Sequence, residues 1–171
     1  MNSTIKHLLS FLLLLSCAAP NAAQLQKNVA PAPNGIEIPA NYKSWKIIGT
    51  SHRLDKHSLR VILGNQIAIN AVNTHQTNPW PEGTVLAKVV WKETQHPKWP
   101  DAIVPGAFEH AEFMIKDQKK YPSTAGWGFA RWLGLDQKPY GTTADFAQEC
   151  VACHAAVKDN DHVFTVPVPL P

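Results

Sequence analysis

The run Cys150-Val151-Ala152-Cys153-His154 constrains this 171-residue chain more than any other feature, because only 17 residues follow His154. Two thiols three positions apart on one helical turn, with an imidazole on the next residue, form the attachment signature of c-type haem. Each thiol can add to a vinyl group of the same porphyrin, and the histidine then faces the iron. The competing reading is a redox-active Cys-x-x-Cys pair, which needs a thioredoxin-like βαβ setting that is missing here. A small electron-carrier cytochrome instead places the motif near its N-terminus and takes a sulfur ligand from a methionine well downstream. No methionine follows His154, and Met114 is the sole methionine after Met1. Beyond His7, the other six histidines (His52, His57, His75, His96, His110 and His162) show no motif that marks one as a second axial ligand. A haem with one protein ligand and an open distal side suits small-molecule binding or chemistry better than simple electron carriage.

Residues 1–23 read as a secretory signal peptide: Lys6 and His7 precede the apolar run Leu8 to Leu15, and small residues follow from Cys17 to Ala23. An apolar run this short falls well below the roughly 20 residues that cross a bilayer, so export without a membrane span is expected. Leu14-Leu15-Ser16-Cys17 loosely resembles a lipoprotein processing site, which makes a lipid anchor on Cys17 the secondary expectation. Removing 23 of the 171 residues leaves 148, enough for one domain with a single core. The removed segment carries one lysine and no acidic residue, so the net charge falls from +3 to +2. With no basic run, nucleic-acid binding has no support. Charged residues are scarce at 17%, while the 6 Trp and 14 Pro suit a compact, loop-rich domain rather than a disordered one.

Residues 24–41 mix Pro, Asn and Gly without periodicity and predict an extended lead-in, with the ordered domain over 42–171. Short apolar segments bounded by turn residues then predict strands at Trp45 to Gly49, Leu59 to Leu63, Thr84 to Trp91, Phe108 to Ile115 and Trp127 to Leu133. Ile67 to Val72 predicts a short helix. Thr143 to His154 predicts another, which carries the haem motif and which Thr143 or Asp145 can cap. The expected fold is mainly β, a β-rich α+β domain with a few short helices. It differs from the long amphipathic helices of the bundle-type gas-binding cytochromes. Val166 to Pro171 is Pro-rich and is expected to run along the surface or a partner subunit.

Side chains alternate faces along a strand, which exposes three lone charges. Lys88 is the single polar residue among Val85 to Trp91. Arg60 shares a row with Ile62 and Gly64, and Glu112 shares one with Phe108, His110 and Met114. Taken singly, a lysine snorkels to solvent and Arg60 with Glu112 makes an ordinary ion pair. Buried charges are costly unless paired or used, so three of them in three strands of a haem protein point to a shared polar pocket. Burial beside Met114 and Phe108 is expected to raise the pKa of Glu112, and a nearby Arg60 to lower it.

These residues, together with Asn41 to Thr50, Leu59-Arg60-Val61, Gly83 to Lys88, Met114 to Asp117, Gly126 to Phe129 and Cys150 to His154 with the later Val163-Phe164-Thr165, resemble the cytochrome P-460 family over about residues 40 to 168. The resemblance implies an antiparallel sheet, a periplasmic homodimer and one haem c per chain. It further implies oxidation of hydroxylamine towards nitrous oxide and nitric oxide, with electrons passed to an accepting cytochrome. Carried over position by position, Cys150 and Cys153 are the thioether anchors and His154 the iron ligand. Lys88 falls on the lysine that cross-links to the porphyrin, Glu112 on the distal carboxylate and Arg60 on the distal arginine. The related β-sheet type of cytochrome c prime binds nitric oxide without a cross-link and supplies the alternative function. His52, His57 and the Trp-rich stretch from Trp80 to Trp99 lie outside the family pattern.

Overall fold

The computed structural model describes residues 29–168. The expected signal peptide and Cys17 lie outside the described residues. Six strands form one antiparallel sheet in chain order: β1 (Lys46–Arg53), β2 (Ser58–Gly64), β3 (Val85–His96), β4 (Trp99–Lys116), β5 (Trp127–Leu133) and β6 (Lys138–Pro139). Helix α1 (Gln66–Asn73) follows β2, and α2 (Ala147–His154) follows β6. The mainly β expectation holds, and each segment of alternating or unbroken apolar residues became part of a strand.

Register fixes what each face presents, because pairing two residues puts them on the same side of the pleat. Ile62 pairs with Lys88, Lys88 with Glu112, and Glu112 with Arg131, so one row crosses four strands on the front face. The neighbouring rows are Arg60, Val90, His110 and Leu133 on one side, and Gly64, Leu86, Met114 and Phe129 on the other. The front core joins Ile62, Leu86, Trp127 and Phe129 to Ala68 and Ile69 of α1, Trp80 and Val163, with Cys150 and Val151 of α2 packed against it. Asn65 anchors α1 to the sheet. Its Oδ1 accepts from Ala68 N (3.0 Å) and Val85 N (3.2 Å), and its Nδ2 donates to Gly83 O (2.8 Å).

The back face buries Ala87, Val89, Ala111, Phe113, Ala130 and Trp132. Its cover is the segment ahead of β1. Ala32, Ile36 and Tyr42 are buried against it, Tyr42 meets Phe113 edge-on at 5.1 Å, and Trp132 Nε1 donates to Ala30 O (2.9 Å). Residues 29–41 have no regular element, yet they close one side of the domain.

Two expectations are corrected. Phe108 does not share a face with Glu112: the pairing shifts between Val90 with His110 and Trp91 with Phe108. Glu109 is the extra residue of that bulge, and it turns Phe108 into the back core, edge-on to Trp91 at 6.3 Å. Neither Thr143 nor Asp145 caps α2. The 3-10 turn Ala144–Phe146 runs straight into the helix, and no side-chain cap bond forms at either start. Backbone carbonyls of that turn serve the first helical amides instead: Ala147 N donates to Ala144 O and Asp145 O.

Candidate functional site

The sheet half of the site is the charged row. The Glu112 carboxylate is ion-paired with Lys88, accepts from Arg131 Nε at 2.6 Å and lies 3.3 Å from His110 Nε2. Burial alone would raise the pKa of this carboxyl. The His110 hydrogen bond and the Lys88 and Arg131 charges outweigh it, holding the group well below the ordinary carboxylate range. Burial raises and an arginine lowers, as expected from the sequence, but Phe108 contributes no burial on this face and the arginine in contact is Arg131. Arg60 does lie on the same face, one row away. Its Nε is buried without a hydrogen-bond partner among the described residues, and burial pushes its pKa down.

The helix half is α2. Cys150 is half-buried against the front core and Cys153 is exposed, and both thiols are free rather than joined in a disulfide. Burial pushes the Cys150 thiol up to about 11, with the Arg131 charge opposing and those of Glu112 and Glu149 assisting. His154 sits between two aromatic rings, Phe129 of β5 and Phe164, each 5.2 Å away centre to centre. Its Nδ1 is 2.6 Å from His162 O. A carbonyl only accepts, so Nδ1 carries the proton and the Nε2 lone pair is left available. Burial lowers the pKa of this ring and keeps it neutral, the form that binds a metal.

Arg131 ties the halves together. Its NH1 donates to Glu149 Oε1 (3.0 Å), on the residue before Cys150, and its guanidinium lies over the Tyr140 ring at 4.5 Å. Tyr140 OH donates to Glu149 Oε2 (3.2 Å). Register and packing bring Lys88, Glu112, Cys150 and His154 to the front face, with Arg131, His110, Glu149 and Tyr140 beside them, while Arg60 lies one row away and Cys153 is exposed on α2. Lone-charge reasoning had the signal for Arg131, since it shares a row with Trp127 and Phe129. His52 and His57 are elsewhere, both on the Glu93 carboxylate, with His57 Nδ1 at 3.0 Å. Trp80 and Trp91 go to opposite cores, and Trp99 is exposed.

The residues fit a haem. Two free thiols one turn apart and an aromatic-flanked imidazole with Nε2 available lie on one helix, and the sheet face it packs on carries a buried Arg60 nitrogen with no hydrogen-bond partner among the described residues. Among curated proteins, none matches this chain. A family description, Cytochrome P460, matches residues 39–165, a span that takes in Arg60, Lys88, Glu112 and the whole of α2. That span is most of the chain, and the chain belongs to the Cytochrome P460 family of haem proteins.

Proposed function

We propose that the protein is an exported, periplasmic c-type cytochrome that oxidises hydroxylamine to nitrous oxide and nitric oxide. It acts as a homodimer and hands electrons to an accepting cytochrome. Cys150 and Cys153 hold one haem through thioether bonds, His154 Nε2 binds its iron, and Lys88 forms a further bond to the macrocycle. The observation that carries this reading is the Glu112 carboxylate on the front face of the sheet, gripped by Arg131 Nε at 2.6 Å with His110 Nε2 at 3.3 Å, two partners that remain when Lys88 is bonded to the macrocycle. When bound, the haem supplies an iron that takes the nitrogen of hydroxylamine and accepts its electrons. Each electron removed releases a proton, and Glu112 is the group placed to receive it. His110, touching the same carboxylate and partly exposed, offers the next acceptor on the way to solvent. Arg131 keeps the carboxylate aimed by holding both it and Glu149.

The ion pair of Lys88 with Glu112 favours a second reading, since an amine occupied by a carboxylate is not free to bond carbon. In that case the protein binds nitric oxide without turnover, as the β-sheet type of cytochrome c prime does. Optical spectra and intact mass of the purified protein separate the two. The mass after denaturation should equal the processed chain plus one haem. The reduced Soret band should be strongly red-shifted in the wild type and ordinary in Lys88→Ala, which keeps its haem and nitric oxide binding but loses hydroxylamine oxidation. Identical spectra for the two proteins assign the gas-binding function.

A further inference from the structure

The most deeply buried ion pair among the described residues is not at Glu112 but at the far end of β4. Lys116 and Asp161 are 6% and 9% exposed, with Nζ 2.7 Å from Oδ1 and 2.9 Å from Oδ2. Lys116 Nζ also donates to Ala125 O (3.1 Å) and lies 4.9 Å from the centre of the Trp127 ring. Asp161 is held from two further sides: Trp80 N donates to Oδ2 and Trp127 Nε1 donates to the backbone carbonyl, both at 2.8 Å. A buried pair of this kind adds little net stability over apolar packing, so its presence calls for a directional reason.

The next residue supplies one. His162 O is the carbonyl that receives Nδ1–H of His154. Asp161 and His162 both have left-handed backbones, with φ of 47° and 62°. Asp161 N and His162 N donate to Val157 O, and Val163 N donates to Asn160 O, which closes the turn on itself, whereas Lys116, Trp80 and Trp127 tie Asp161 to the sheet side of the domain. We propose that Lys116 and Asp161 are positioning residues for His154: the pair fixes the turn that presents His162 O, and so sets the orientation of the imidazole and the electron density on Nε2. A short bond to Nδ1–H makes Nε2 a stronger donor, which favours the oxidised metal. The proposal rests on His154 being the iron ligand.

The test uses the haem-loaded protein and three readouts: the Fe(II)–histidine stretching band by resonance Raman, the reduction potential and thermal unfolding. Asp161→Asn keeps the shape but removes the charge that grips Lys116, and Lys116→Met removes the other partner. Both should lower the stretching frequency and raise the potential, with haem content unchanged. The double variant should shift by less than the sum of the two, because one lock is lost. Should a single variant fail to fold, Trp127→Phe removes the bond to Asp161 O and shrinks the ring beside Lys116 while keeping both members of the pair, and it should move both signals the same way by less. Variants that unfold earlier while band and potential stay at wild-type values make the pair merely structural and overturn the proposal. A haem-loaded wild type with no histidine band overturns the functional reading and this proposal together.

Discussion

At Glu112 the decisive quantity is a sum of opposing effects, of which the sequence revealed only part. Alternation along β4 marked it as a charge in an apolar row, and the same argument marked Lys88 and Arg60. It could not show that register puts Lys88 and Arg131 on either side of it, because pairing between strands is not written in any one segment. Nor could it show that a bulge at Glu109 carries Phe108 away. The outcome is a carboxyl whose pKa is depressed rather than raised. A depressed carboxylate contributes stability above its ordinary value and loses it as pH falls through that value towards the folded one. The stability gap between wild type and Glu112→Gln should therefore be constant near neutrality and narrow below about pH 4.3. Denaturant titrations at several pH values check this. In turnover, Glu112→Gln should still bind hydroxylamine but oxidise it about 10² to 10⁴ more slowly. No loss of wild-type rate from Glu112 protonation is expected between neutrality and the ordinary carboxylate range. Oxidation at the wild-type rate by the Gln variant would move the base to His110.

Elements were legible where one side of them is buried. The five predicted strands and α1 are present because apolar side chains with a period of two or of 3.6 need a core to face. The outer half of the β3–β4 hairpin was not legible. Thr94 to His96 and Trp99 to Val104 pair only with each other, as a ribbon with solvent on both faces, so no alternation marks them. Pro100 and Pro105 are tolerated in β4 for the same reason, since no further strand continues the ladder there. Caps were misjudged because the 3-10 turn before α2 is invisible to a rule that looks for one polar residue at a helix start. The tightest junction of elements is at Gly64, where β2 passes into α1. A Cβ built there would lie 2.3 Å from Ile48 Cδ1 and 2.8 Å from Ala68 Cβ. Ile48 and Ala68 are both buried, so neither has free space to retreat into. Gly64→Ala should destabilise the protein by about 1–3 kcal/mol, read as a lower denaturation midpoint at an unchanged slope. An unaltered midpoint would mean that Ile48 moves aside freely.

At the scale of the whole molecule, the sheet is a wall with a different tenant on each side. The front carries the charged row and packs against the Cys-x-x-Cys-His helix, and the back is closed by residues 29–45, which the sequence marked only as irregular because Pro, Asn and Gly conceal the two buried anchors Ala32 and Ile36. Composition describes how a segment moves through its dihedral angles and says little about what it lies against. Starting the chain at Tyr42 should therefore do harm far from any reacting group. It exposes the side chains under Ile36, a loss of roughly 1.5–3 kcal/mol for one large aliphatic residue. It also leaves the Trp132 N–H without its acceptor, worth about 1–3 kcal/mol more. The shortened chain should melt well below the full one. Equal melting temperatures would show that the back cover is dispensable.

The strand order repeats the chain order, and this has a consequence for assembly in time. Each strand can dock on its predecessor by closing a short loop, which favours rapid zippering for an all-neighbour sheet. The stretch after α2 is the exception. Its partners are Lys116, 45 positions away in sequence from Asp161, Asn78, 81 positions from Asp159, and Ile48, whose carbonyl receives Val168 N. Those closures become favourable only once the sheet exists to receive them. The His154 imidazole is thus set in place last, by a strap latched onto a finished wall, and the same strap is the part that can detach first without disturbing the strands beneath it.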